Sequence, residues 1–201
     1  MISAGTKSQV LWGDGNWIFL DIGFSSARPT CGFAFGDEDP SCLSFGATKT
    51  QVIERIRGCS DQVNLVIEAP LSVCFDAVGN PKGRRIERQE RQVRYWYLGV
   101  GCMVMTAALY VLRGIHDAQL NPDLHLFEGF VSFKQAKGAS DHLWDVQAMR
   151  DIVRNSQARQ DSIFSPSDLR IDAHDLLQSA FRVSGMDLGV PAVIMGKQKA
   201  Q

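Results

Sequence analysis

Asn16-Trp17-Ile18-Phe19-Leu20-Asp21-Ile22-Gly23-Phe24 is a run of strand-forming residues with a single acid inside it. Its neighbours set the architecture. Thr30–Gly36 (TCGFAFG) and Ser41–Ala47 are apolar in the same manner. The breaks between them, Ser25-Ser26-Ala27-Arg28-Pro29 and Asp37-Glu38-Asp39-Pro40, are short and turn-forming, so three antiparallel strands joined by hairpins are expected to open the domain. From Thr48 the period changes. Val52, Ile53 and Ile56 recur at helical spacing among Glu54, Arg55 and Arg57, and the pattern stops at Gly58. Gln62–Ala69 (QVNLVIEA) is then a near-continuous apolar run closed by Pro70, which reads as a buried central strand reached by a crossover, and so parallel to a predecessor.

Further along, Arg84–Arg113 reads as a long helical region, charged first and apolar later. Asp123–Phe130 (DLHLFEGF) reads as a strand, and Asp141–Ser156 and Ile171–Ser184 as helices, with Ser167 or Asp168 near the start of the last. This order predicts an α/β domain with a mixed five-stranded sheet, three antiparallel strands followed by parallel additions, flanked by helices. Residues 1–201 are expected to form one domain, with 1–14 as an N-terminal extension and 186–201 as a C-terminal tail.

With 45% apolar residues among 201, the chain can bury a real core. A formal net charge of −1 gives no overall basic field to draw in a polyanion, so any nucleic-acid site has to be local. Cys31, Cys42, Cys59, Cys74 and Cys102 are odd in number and lack zinc-knuckle spacing, which points to free thiols. Met1–Asp14 has no cationic stretch followed by an apolar core, and a cytoplasmic location is expected. Tyr95–Leu112 runs eighteen residues without a charge, the lower limit for a membrane span. Its Gly99 and Gly101, and its place between two expected strands, favour a buried core helix apolar all round, with no membrane partner.

Asp21 within its buried run is costly unless it has a cation, hydrogen bonds or a task, and Glu68 in Leu65-Val66-Ile67-Glu68-Ala69-Pro70 repeats the problem. An arginine partner or a solvated strand end would also account for either one. In Ile171-Asp172-Ala173-His174-Asp175-Leu176-Leu177, Asp172 and Asp175 are three apart, so on a helix they share a face in its first turn. There they serve either as ligands or as N-terminal helix charge.

An acid in the first strand (LDIGFS), a glutamate closing the fourth (VIEAP) and a late DAHD opening a helix resemble the RNase H-like superfamily, in particular its Holliday-junction resolvase branch. The resemblance covers about Ile18–Val183 and departs from resolvases in the long Pro70–Arg94 insertion. EAPLS, GNPKGRRIE and RYWYLG are similar to an uncharacterised RNase H-like group that has no established activity to carry over. The superfamily implies a sheet with its first and fourth strands side by side and a late helix supplying the remaining ligands.

Asp21, Glu68, Asp172 and Asp175 are then the expected catalytic and metal-ligating residues. Hard oxygen donors suit Mg²⁺ or Mn²⁺, and two such ions would activate water and stabilise the leaving oxygen in phosphodiester hydrolysis. His174 is either a proton carrier or a solvent-facing residue, and Glu128, closing the fifth strand, either a further ligand or a solvated one. Lys82–Tyr97 holds six cations and three aromatics. On a helix Arg84, Arg88 and Arg91 align, and with Arg85 they would bind phosphates, or else pair with Glu87 and Glu90 on a solvated face. The expected function is that of a metal-dependent nuclease on structured DNA or RNA, the alternative a non-catalytic scaffold of the same fold that binds nucleic acid or protein. A homodimer through Leu98–Leu112 is what analogy with resolvases suggests.

Overall fold

The computed structural model describes residues 1–25, 27–89, 92–94, 99–131, 142–181, 186 and 188–196. In chain order its elements are β1 (Ile2–Ala4), α1 (Lys7–Trp12), β2 (Asn16–Asp21), β3 (Cys31–Phe35), β4 (Ser41–Leu43), α2 (Phe45–Arg57), β5 (Val63–Glu68), β6 (Ser72–Phe75) and β7 (Pro81–Lys82). There follow β8 (Arg88–Gln89), β9 (Gln92–Val93), α3 (Val100–Asp117), β10 (Leu124–Val131), α4 (His142–Arg154), β11 (Ile163–Phe164), β12 (Leu176–Ser179) and β13 (Val193–Gly196).

The main sheet is mixed and eight-stranded, in the order β11-β13-β10-β5-β2-β3-β4 with β1 also paired to β10. β2, β3 and β4 are antiparallel neighbours, as the hairpin breaks predict. β5 returns through α2 to lie parallel to β2, and β10 lies parallel to β5. The five strands read from the sequence are present. The other three come from short runs that periodicity does not mark: β1 from the presumed extension, β11, and β13 from the presumed tail.

The helices form where caps and spacing agree. Ser44 caps α2 by accepting the Ala47 N–H, and Thr48, Val52 and Ile56 recur every fourth residue to face the sheet. α1 starts with a Thr6/Gln9 capping box and ends at Gly13 in the left-handed region. Strand alternation then divides the core. Ile18, Leu20, Leu65 and Ile67 pack beneath α2 and α3, whereas Trp17, Phe19 and Val66 pack beneath α4 and α1.

Two expected helices are corrected. Arg84–Arg113 is not one helix: a 3₁₀ turn at Arg85–Glu87 and the β8–β9 hairpin precede α3, which begins at Val100. The Arg84 guanidinium is buried among acids, and that requirement overrides the helical spacing of the charges. Ile171–Ser184 is not an α-helix over its described part either. Leu176–Ser179 form β12, which pairs with β6, and β6 with β7, in a separate three-stranded sheet. Nor is α3 buried all round, since Val100, Met103 and Tyr110 are exposed. Among the described residues no helix is long and apolar enough to cross a membrane.

Candidate metal centre

Side chains alternate along β2, so Asp21 follows Trp17 and Phe19 onto the α4 face of the sheet. Glu68 follows Val66 onto the same face of β5. The two strands run parallel with Asp21 and Glu68 as register partners. On either side of this pair the row continues with Gly32 on β3 and Gly129 on β10. Two carboxylates are thus flanked by two residues without side chains, and α4 uses the space. A Cβ at Gly32 would stand 2.2 Å from the His142 carbonyl oxygen, and one at Gly129 would stand 2.1 Å from Met149 Sδ. Gly23 leaves room in the same way for the His142 ring, whose Nε2 would be 2.6 Å from its added Cβ.

This seating brings the first turn of α4 onto Asp21. His142 and Asp145 are three apart and share a helix face. One donor atom from each of Asp21, His142 and Asp145 lies within 4.8 Å of the other two. His142 Nδ1 is 2.5 Å from Asp21 Oδ2, a short charge-assisted contact. Asp21 and Asp145 are only 4% and 1% exposed. Glu68 stands beside this trio, its Oε1 accepting the Val131 N–H at 3.3 Å. Buried carboxylates this close repel one another, and a cation relieves both the repulsion and the desolvation. Two carboxylate oxygens and an imidazole nitrogen are a donor set that fits a divalent ion.

The other acids expected here lie elsewhere. Asp172 and Asp175 occupy a turn ahead of β12, where Lys82 Nζ donates to both at 2.8 Å. Asp175 Oδ2 also accepts the N–H groups of Ile171 and Asp172. Lys82 and these N–H groups hold the Asp175 carboxyl down at about 2. The pair is close, as its spacing requires, but it staples a turn to β7 in place of opening a helix. His174 beside it is exposed.

Glu128 is a register partner of Ile67, not of Glu68, so it faces away from α4. It is fully buried, 2.7 Å from the Arg84 guanidinium, and accepts the Leu71 N–H. Burial raises the Glu128 carboxyl more than Arg84 pulls it back. For Arg84 itself, burial opposes the charge, but the fields of Glu128 and then Glu87 outweigh it and raise the guanidinium. Arg84 also donates to Ser72 Oγ, so it is an internal clamp and cannot take a phosphate. Arg85 and Arg88 are exposed and not in helical alignment with it; Arg91 lies outside the described residues.

His142 and Asp145 went unread as site residues although their signal was present. Asp141-His142-Leu143-Trp144-Asp145 has its acids four apart and its histidine three before Asp145, a one-turn spacing like that which drew attention to Asp172 and Asp175, ahead of an apolar helical face. Asp141 itself lies outside the described residues. Compared with known proteins, the chain matches no family model, no curated protein and no solved structure.

Proposed function

We propose that this chain is an RNase H-like, metal-dependent phosphodiesterase acting on nucleic acid, with Asp21, Glu68, His142 and Asp145 as its metal-binding residues. The observation that carries the reading is the meeting of Asp21, His142 and Asp145 donor atoms within 4.8 Å, with Glu68 as the register partner of Asp21. The sheet adds support: the strand of Asp21 and that of Glu68 are adjacent and parallel, with an antiparallel pair beyond. An imidazole among the ligands shifts the preference from Mg²⁺ toward Mn²⁺. A bound divalent ion supplies an activated water and neutralises charge developing at phosphorus. Asp21 would fix the ring of His142 through Nδ1, α4 would hold Asp145 against both, and Glu68, the register partner of Asp21, would complete the site from the adjacent strand.

Mn²⁺ titration by calorimetry and thermal shift tests the site. Binding is expected for the wild type and should be lost in Asp21→Asn and Asp145→Asn, which remain folded in the absence of metal. At a hundred times Kd, linkage gives about 2.7 kcal/mol of stabilisation. On a panel of junctions, flaps, hybrids and single strands, Mn²⁺-dependent cleavage should fall roughly a thousand-fold in either variant. Metal binding without cleavage of any substrate would mark a non-catalytic scaffold. Unchanged Mn²⁺ binding in both variants refutes the metal centre.

A further inference from the structure

β2 and β4 run in the same direction, because each is antiparallel to β3. β4 therefore ends at the sheet edge where Asp21 lies, and only Ser44 separates it from Phe45, the first residue of α2. Phe24, three residues beyond Asp21, leaves β2 at that edge too. The two rings meet with centroids 6.1 Å apart, and Phe45 in turn meets Tyr110 of α3 at 6.3 Å. This aromatic row begins just past the end of β2, three residues beyond Asp21, and passes onto the α2–α3 surface, on the side of the sheet opposite to α4. Phe24 is 44% and Tyr110 56% exposed, so ring surface is open to solvent at both ends of the row.

A lysine lies within the row, and an arginine follows Phe24 in the chain. Lys49 Nζ lies 4.2 Å above the Tyr110 ring, its stem crossing Gly114 of α3. Arg28 is exposed in the loop that carries Phe24. Among the described residues neither Lys49 nor Arg28 has an ion-pair partner, whereas Arg55, Arg113 and Arg154 each have one. Lys49 covers one face of Tyr110, but exposed ring surface at Phe24 and Tyr110 with an unneutralised lysine in the row, and Arg28 four residues beyond Phe24, is complementary to unstacked bases on a phosphate backbone.

We infer that Phe24, Phe45 and Tyr110, with Lys49 and Arg28, form a stacking platform that guides single-stranded nucleic acid toward the Asp21 edge. The inference rests on the phosphodiesterase reading for its substrate class, and it narrows that class to unpaired strands or splayed ends. Recognition through π-faces tolerates any base sequence.

Fluorescence anisotropy tests it, using a labelled twenty-nucleotide thymidine strand and the corresponding duplex, in EDTA. Wild-type protein should bind the single strand more tightly than the duplex. Phe24→Ala and Tyr110→Ala should each weaken that binding by about five- to a hundred-fold. Phe24→Trp should restore it and Phe24→Leu should not, because leucine keeps apolar area without a π-face. Lys49→Met should make the slope of log K against log salt shallower by about 0.7. Equal affinity for both nucleic acids, or indifference to Phe24→Ala and Tyr110→Ala, overturns the platform. So does sedimentation showing a dimer that Phe24→Ala disperses and Phe24→Leu retains, because the face would then be covered by a second copy. Mn²⁺ titration of Phe24→Ala should match the wild type. Since strand binding is read without metal, failure of the platform and failure of the metal centre are told apart.

Discussion

Gly32→Ala adds one carbon beside the candidate metal centre, and the geometry sets how far the structure must move. The new Cβ would lie 2.2 Å from the His142 carbonyl oxygen, 2.7 Å from its carbonyl carbon and 2.9 Å from Val146 Cγ2. Two of these three atoms are backbone, so no side-chain rotation clears them. Reaching an ordinary contact of about 3.4 Å requires the start of α4 to withdraw by about 1.2 Å, at a packing cost of about 1–3 kcal/mol. His142 Nδ1 is 2.5 Å from Asp21 Oδ2, and the same withdrawal takes that contact beyond hydrogen-bond distance. Gly32→Ala should therefore lower Tm by roughly 2–12 °C and weaken Mn²⁺ binding by at least ten-fold. Gly46→Ala is the matched control, because a Cβ there meets nothing within 4 Å inside α2. Its effect should be neutral or stabilising by up to about 1 kcal/mol. Differential scanning fluorimetry with and without Mn²⁺ reads both variants. If Gly32→Ala keeps wild-type Tm and Mn²⁺ affinity, the α4 seating does not hold the donor atoms together and the argument fails.

Two further perturbations probe the buried and half-buried charges. Arg84→Met leaves Glu87 and Glu128 without their shared cation in a fully buried site, so denaturant unfolding should show a loss of about 3–5 kcal/mol; a loss under 1 kcal/mol would mean that the clamp is not needed. Lys82 first, then the Asp172 and Ile171 N–H groups, lower the Asp175 carboxyl from its ordinary 3.8 to about 2. A depressed carboxylate stabilises the fold above its unfolded value and loses that contribution as pH falls through the folded one. Lys82→Met should thus flatten the stability profile between about pH 4 and pH 2, measured by urea midpoints, and an unchanged acid slope would contradict the assignment.

The sequence made legible what depends on short-range alternation. β2, β3, β4, β5 and β10 are long or well punctuated, and burial on one or both faces gives each its pattern. β13 is four residues and β1 three, too short for a period to register, and each is held by pairing to β10. Asp21 and Glu68 could be picked out because an acid inside a buried strand is physically expensive. Asp172 and Asp175 drew attention for their spacing, but three-residue spacing is an argument about a helix only if a helix is there. Hydrogen bonds from Ile171 and Asp172 to Asp175 close a turn instead, and Lys82, distant in sequence, completes it. That partner could not be read locally. His142 and Asp145 had the same spacing on a segment that does form a helix.

The contrast between Glu68 and Glu128 shows how register turns similar residues to different ends. Glu68 closes β5 and Glu128 lies inside β10, each amid apolar neighbours, and the strands are adjacent and parallel. Glu68 registers with Gly129, and Glu128 with Ile67, so the two glutamates are one position out of step and face opposite sides of the sheet. On the α4 side the row holds Gly32, Asp21, Glu68 and Gly129, leaving space for His142 and its helix. On the other side Glu128 is fully buried, with Arg84 and the Leu71 N–H on its carboxylate and Ser72 on Arg84 in turn. A slip of one residue between β5 and β10 would send Glu128 toward α4 and leave Arg84 without it. The Arg84 clamp and the Gly129 contact with Met149 both oppose that slip, so a buried ion pair on the opposite face of the sheet helps fix which carboxylate faces Asp21 in the candidate metal centre.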